Sequence, residues 1–136
     1  MIKRLRIFRP AVAIAATAIL LAPVAAWCQD AAAVNPKTVH VKLDNARVRV
    51  LEAELPPDAK EQLHSHPACV IYVIAGGKVR NHSADGKTSE LELATGQTIY
   101  REPTTHWAEN IGKSTIHLVL VELKTGPQTE ASSSNH

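Results

Sequence analysis

Apolar and polar positions alternate strictly along most of the chain. KTVHVKL (residues 37–43) alternates, and ARVRVLEAEL (46–55) does so again after the turn pair Asp44-Asn45. Successive side chains on a strand point to opposite faces, so a period of two predicts strands with one face turned inward. Pro56-Pro57-Asp58 then breaks the chain. KVRNH and TSELEL flank Ser83-Ala84-Asp85-Gly86-Lys87, which predicts a hairpin with Asp-Gly at its tip. TIYR follows Gly96, and STIHLVLVELK closes the pattern with β-branched residues and leucines. No stretch carries the period of an amphipathic helix of useful length. Many short strands with frequent turns and no internal repeat predict one all-β domain, a sandwich or small barrel.

Residues 63–75, LHSHPACVIYVIA, depart from the alternation: two histidines precede an almost unbroken apolar run. Such a run suits a strand covered on both sides, with Val70, Tyr72 and Ile74 on one face and Ile71, Val73 and Ala75 on the other. His64 and His66 stand two apart and therefore project side by side. Imidazole nitrogens placed this way can meet one divalent ion at about 2.0–2.1 Å. A third ligand has to come from another segment, and His106 in PTTHWAEN, after the turn-like Pro103-Thr104-Thr105, is the candidate. An HxH pair alone is a weak signal. A third histidine in a second such segment of an all-β chain strengthens it.

The ends of the chain change the charge argument. Lys3, Arg4, Arg6 and Arg9 precede the apolar stretch AVAIAATAILLAPVAA, and Val24-Ala25-Ala26 has the small residues of a cleavage site. Residues 1–26 are thus expected to be a signal peptide cut after Ala26, giving a periplasmic or secreted protein. The stretch from Ala11 to Ala26 is shorter than the ~20 residues that span a bilayer, and Pro23 interrupts it, so no membrane association is expected after cleavage. The leader holds four of the fifteen Lys and Arg and none of the thirteen Asp and Glu, which leaves eleven basic residues against thirteen acidic, about −2. Nothing in that balance points to nucleic acid. Residues 27–36 (WCQDAAAVNP) read as a linker, 37–124 as the folded domain, and 125–136 as a disordered tail. Two cysteines in an exported chain raise the question of a Cys28–Cys69 bridge, against Cys69 as a small buried hydrophobe.

The histidine segments carry a resemblance. LHSHPACVIYVIAGGKV resembles the first cupin motif (HxH, three or four residues, Glu, six residues, Gly). GQTIYREPTTHWAEN resembles the second (Gly, five residues, Pro-x-Gly, two residues, His, three residues, Asn). His64, His66, Gly76, Gly96, His106 and Asn110 all find places in them. The resemblance covers residues 37–124 and implies a double-stranded β-helix, or jelly-roll, barrel. It is greatest to short single-domain bacterial or exported cupins of unassigned function, which also implies a homodimer. The usual glutamate is missing: counted from His66 it falls at Val70, counted back from Gly76 at Cys69. The second motif is one residue short and lacks its Pro-x-Gly.

Three neutral imidazoles would leave a divalent ion its full charge. At about 4 Å and an effective dielectric of about 20, one unit charge is worth on the order of 4 kcal/mol, so an anionic small-molecule ligand is expected. Imidazole suits Fe, Zn, Mn, Ni or Cu, and iron comes first by resemblance alone. Tyr72 is the candidate proton donor or acceptor, against an ordinary core tyrosine. Glu102, before the turn into His106, is a poor candidate for a fourth ligand or base. His117 is read as a core or rim histidine, His40 and His82 as exposed strand residues, and Trp107 as barrel packing. The leading function is metal-dependent, dioxygenase-like chemistry on a small molecule. A non-catalytic module binding metal or a small ligand stays open beside it, and so does a metal-free structural barrel.

Overall fold

A computed structural model describes residues 29–125. One helical turn, α1 (Ala31–Val34), precedes nine strands among the described residues. These are β1 (Val39–Asp44), β2 (Val48–Leu55), β3 (His64–His66), β4 (Cys69–Ala75), β5 (Gly77–Ser83), β6 (Thr88–Leu93), β7 (Thr98–Arg101), β8 (Thr104–Asn110) and β9 (Ile116–Leu123). They pair antiparallel into two sheets, ordered β1-β2-β9-β4-β7 and β3-β8-β5-β6. From β3 onward the chain passes repeatedly from one sheet to the other, which is the jelly-roll arrangement expected.

The alternating positions meet between the sheets. Leu51, Ala53 and Leu55 of β2, beside Ile71 and Val73 of β4 and Ile116 and Leu120 of β9, pack with Val79, Leu93 and Ala108 of the smaller sheet. Asn110 is fully buried at the end of β8 and keeps every polar atom engaged. Its amide nitrogen donates to the carbonyls of Leu55 (2.7 Å) and Ser114 (2.8 Å), and its oxygen accepts from the Gly112 N–H. A buried amide so satisfied ties two loops to one strand end. Gly76 sits where a Cβ would fall 1.9 Å from the Leu93 carbonyl oxygen, so the sheet-to-sheet crossing after β4 requires glycine. At the tip of the β5–β6 hairpin Gly86 takes φ +84°, the left-handed turn expected of Asp-Gly.

The histidine segment is not one strand. Pro67 and Ala68 separate β3, which pairs with β8, from β4, which pairs with β9 and β7 in the other sheet. Proline has no N–H for a ladder and holds the preceding residue extended, so pairing stops there and resumes in a new sheet. The parity of inward positions is reset across that crossing. Cys69, Ile71 and Val73 are buried, whereas Tyr72 and Ile74 are 49% and 40% exposed. The apolar run is therefore covered on one side only.

Residues 29–36, expected as a linker, are docked on the barrel. Asp30 caps α1 through the Ala33 N–H and also pairs with Arg49 on β2. Asn35 is 6% exposed and accepts from the Gln62 N–H at 2.7 Å. Two polar side chains fix a segment whose pattern gave no reason to be fixed. The expected signal peptide, Cys28 with its pairing to Cys69, the tail from residue 126 and His136 lie outside the described residues. No described helix is long and apolar enough to cross a membrane.

Candidate metal centre

His64 and His66 point inward from β3, and His106 stands directly opposite His64 on β8. Cross-strand partners bring their side chains within about 5 Å, so the register alone gathers the three rings. All three are buried, at 1%, 7% and 6% exposure. One nitrogen from each lies within 4.8 Å of the others, and His64 Nε2 is 2.9 Å from His66 Nε2.

The other ring nitrogen of each histidine is held by an acceptor. His64 Nδ1 lies 2.7 Å from the Gln62 carbonyl, which can only accept, and 3.2 Å from the Asn35 amide nitrogen; the shorter contact sets its role as donor. His66 Nδ1 lies 2.6 Å from Glu122 Oε1, and His106 Nδ1 meets Asn81 Oδ1. Each Nδ1 therefore donates, and each ring turns its Nε2 to the common space. His106 Nε2 is buried without any hydrogen-bond partner. Burial holds the His64 ring below the usual imidazole range. Burial first, then the neighbouring His64 and Arg101, pushes His106 down to about 3.

Two ring nitrogens 2.9 Å apart need a proton or a metal ion between them. Nitrogens each about 2.0–2.1 Å from one ion can be no more than about 4.2 Å apart, and the His64–His66 pair meets that bound. The donor set thus fits a divalent metal, with acceptors behind it that fix the tautomers. His64, His66 and His106 form a buried site able to hold a metal ion.

The remaining expectations divide. Counting back from Gly76 places the missing glutamate correctly: Cys69 is fully buried and faces the cavity, while Val70 lies on the outer side of β4. Tyr72 shares that outer side and does not line the cavity, so its reading as a proton donor is corrected. Glu102 is exposed. The carboxylates near the histidines are two others. Glu122 orients His66, and Glu61, its side chain 8% exposed, lies 3.9 Å from His64 Nε2 and accepts from the Ala108 N–H at 3.2 Å. Neither lies in a motif; the single cue for Glu122 was an acidic residue on the inward parity of an apolar strand. His117 is half-buried on the outer face and bonds Glu52 at 2.9 Å. His40 is exposed, and His82 stacks on Trp107 with ring centroids 3.6 Å apart, away from the cavity.

The fold agrees with solved structures. A cupin domain from Bordetella pertussis Tohama I is 26% identical over 63% of this chain and 91% of its own, with a TM-score of 0.59. The chain belongs to the cupin superfamily. A cupin 2 conserved barrel domain protein from Salinispora arenicola (13% identity, 64% and 75% coverage, TM-score 0.50) shares the fold. So does a cupin-like protein from Thermotoga maritima (17%, 64% and 68%, TM-score 0.50). No protein-family model matches the sequence, and no curated protein is similar to it.

The cavity of this cupin has a volume of about 70 Å³ and is mostly apolar. Its polar lining consists of the three histidines, Glu61, Cys69, Asn81 and Arg101. Burial pushes the Glu61 carboxyl up to about 7 against the pull of the Ala108 N–H and Arg101, and burial likewise raises the Cys69 thiol. Glu61 thereby makes stability depend on pH. Its carboxyl titrates near 4.5 unfolded and near 7 folded, so the folded state holds the extra proton between those values. The contribution is complete below the unfolded value and is lost as pH rises through the folded one, by on the order of 3 kcal/mol at most. Denaturant unfolding of metal-free protein should show wild type losing stability relative to Glu61→Gln between pH 4.5 and pH 8. A constant difference between the two would show that Glu61 is not desolvated.

Proposed function

We propose that this cupin holds one divalent metal through His64, His66 and His106 and carries out metal-dependent, dioxygenase-like chemistry on a small molecule. One observation carries the reading: three buried imidazoles turn their Nε2 atoms into one cavity, each with an acceptor behind it. Imidazole donors suit Fe, Zn, Mn, Ni and Cu, and iron is put first by resemblance to other three-histidine cupins. When bound, such an ion supplies Lewis-acid polarisation of a ligand oxygen and orientation of the reactants.

The chain's own residues do the rest. The apolar lining keeps bulk water from the histidines, which strengthens every polar contact inside. Glu122 and the Gln62 carbonyl hold two rings with Nε2 turned to the cavity. Glu61 offers a carboxyl oxygen beside the site that can take and return a proton. It assumes the role first sought in Tyr72. A second reading, a non-catalytic module for metal or a small ligand, is favoured by the short inventory of acid and base groups in the cavity.

Metal analysis of untagged protein, followed by oxygen uptake with thiols, diketones and phenolic compounds, separates the two. Bound metal with substrate-dependent uptake supports the enzyme. Bound metal with no turnover across the panel favours the binder, and protein without metal affinity sinks the enzyme and leaves only a binder of small ligands. The exposed apolar side chains Tyr72, Ile74 and Tyr100 on the outer face of the larger sheet also support pairing with a second copy. Sedimentation showing only monomer at micromolar concentration would remove that part of the proposal.

A further inference from the structure

One level of the larger sheet carries five polar residues in register. Asp44, Arg49, Glu122, Cys69 and Arg101 are successive partners across β1, β2, β9, β4 and β7. Arg49 pairs with Asp30 and stands 3.8 Å from Glu122 and 3.9 Å from Asp44. Glu122 in turn holds His66. The charges of that half of the row are matched.

Arg101, at its far end, is not matched. It is half-buried and lines the cavity, yet its guanidinium makes no ion pair or hydrogen bond with another described residue. Arg101 lines the same cavity as Glu61, Cys69 and the three histidines. Glu61 is turned to the Ala108 N–H instead of to Arg101. A partly desolvated guanidinium without a counter-ion is an incomplete pair, and its fork of donors matches a carboxylate. Around it the lining is apolar, with Ile71, Leu93, Ile99 and Leu118 among the walls. The cavity of about 70 Å³ has room for roughly five to seven waters, and so for a ligand of about that many non-hydrogen atoms.

We propose that the cavity takes a short-chain carboxylic acid, its carboxylate on the Arg101 guanidinium and its apolar chain among those walls, before the three-histidine face. The inference rests on the reading of this cavity as the substrate site, and it narrows the substrate to a class.

Calorimetric titration of metal-loaded protein with butyrate, and with butyramide as its neutral counterpart, tests the proposal. Butyrate should bind and butyramide should bind at least about tenfold more weakly. Arg101→Gln should lose at least about tenfold of the butyrate affinity, with metal content and melting midpoint unchanged, and Arg101→Lys should retain part of it. Equal butyrate affinity in wild type and Arg101→Gln overturns the assignment, as does wild-type protein that ignores butyrate at millimolar concentration. If the protein takes up no metal but Arg101→Gln still weakens butyrate, the metal reading fails and the carboxylate anchor stands.

Discussion

Replacing His106 by Ala should strip the protein of metal while leaving the barrel folded. Two imidazoles from a three-residue strand remain, too few to fix one ion. Loss of an outer-shell partner alone typically weakens metal binding about 10–100-fold, so removal of a ligand should cost more than about 100-fold. The fold should tolerate the change. His106 is neutral and buried, and its Nε2 has no protein partner to lose. What disappears is the contact with Asn81 and some ring packing, about 1–2 kcal/mol. Metal analysis after dialysis against a weak chelator, beside circular dichroism, reads both effects. His64→Ala and His66→Ala should behave alike, and full metal content in all three variants would refute the site.

Cys69→Glu should make the stability of the fold depend on metal, and Val70→Glu should do neither thing. Cys69 is fully buried at the cavity, level with Glu122 on one side and Arg101 on the other. A glutamate there puts a carboxylate beside the three Nε2 atoms and beside a second carboxylate. Without metal, that buried and imperfectly paired charge should destabilise the barrel by several kcal/mol. With metal, the carboxylate becomes a fourth ligand of opposite charge, and affinity should rise at least about tenfold. It should also weaken anionic ligands, since the added negative charge opposes them. Val70 lies half-buried on the outer side of β4, so a glutamate there faces solvent. Its metal affinity should stay within about twofold of wild type and its stability within about 1 kcal/mol. Thermal melts with and without metal would check both variants. A metal gain in Val70→Glu instead would mean that the inward parity of β4 is the opposite one.

The all-β class, the hairpin at Asp85-Gly86 and the HxH pair were legible in the sequence because each rests on local chemistry, while the jelly-roll barrel followed from the motif resemblance. Period-two alternation is a property of neighbouring residues, and a left-handed turn needs its glycine where it stands. The HxH pair needs only the geometry of one strand, and His106 followed from the second motif. What lay beyond the sequence was decided by contacts between distant segments. Pro67 moves the chain from one sheet to the other and so resets which residues face inward. Parity carried across it from His66 placed Tyr72 and Val70 in the cavity, whereas the fold puts Cys69 there. Glu61, Glu122, Asn81 and Asn35 belong to no motif. They matter because strand pairing and loop docking bring them to the imidazoles, across up to 56 residues of chain in the Glu122–His66 contact. Arg101 is one more polar strand end in the sequence; only the register, which gives Arg49 its acids and leaves Arg101 none, makes it a cation facing a cavity.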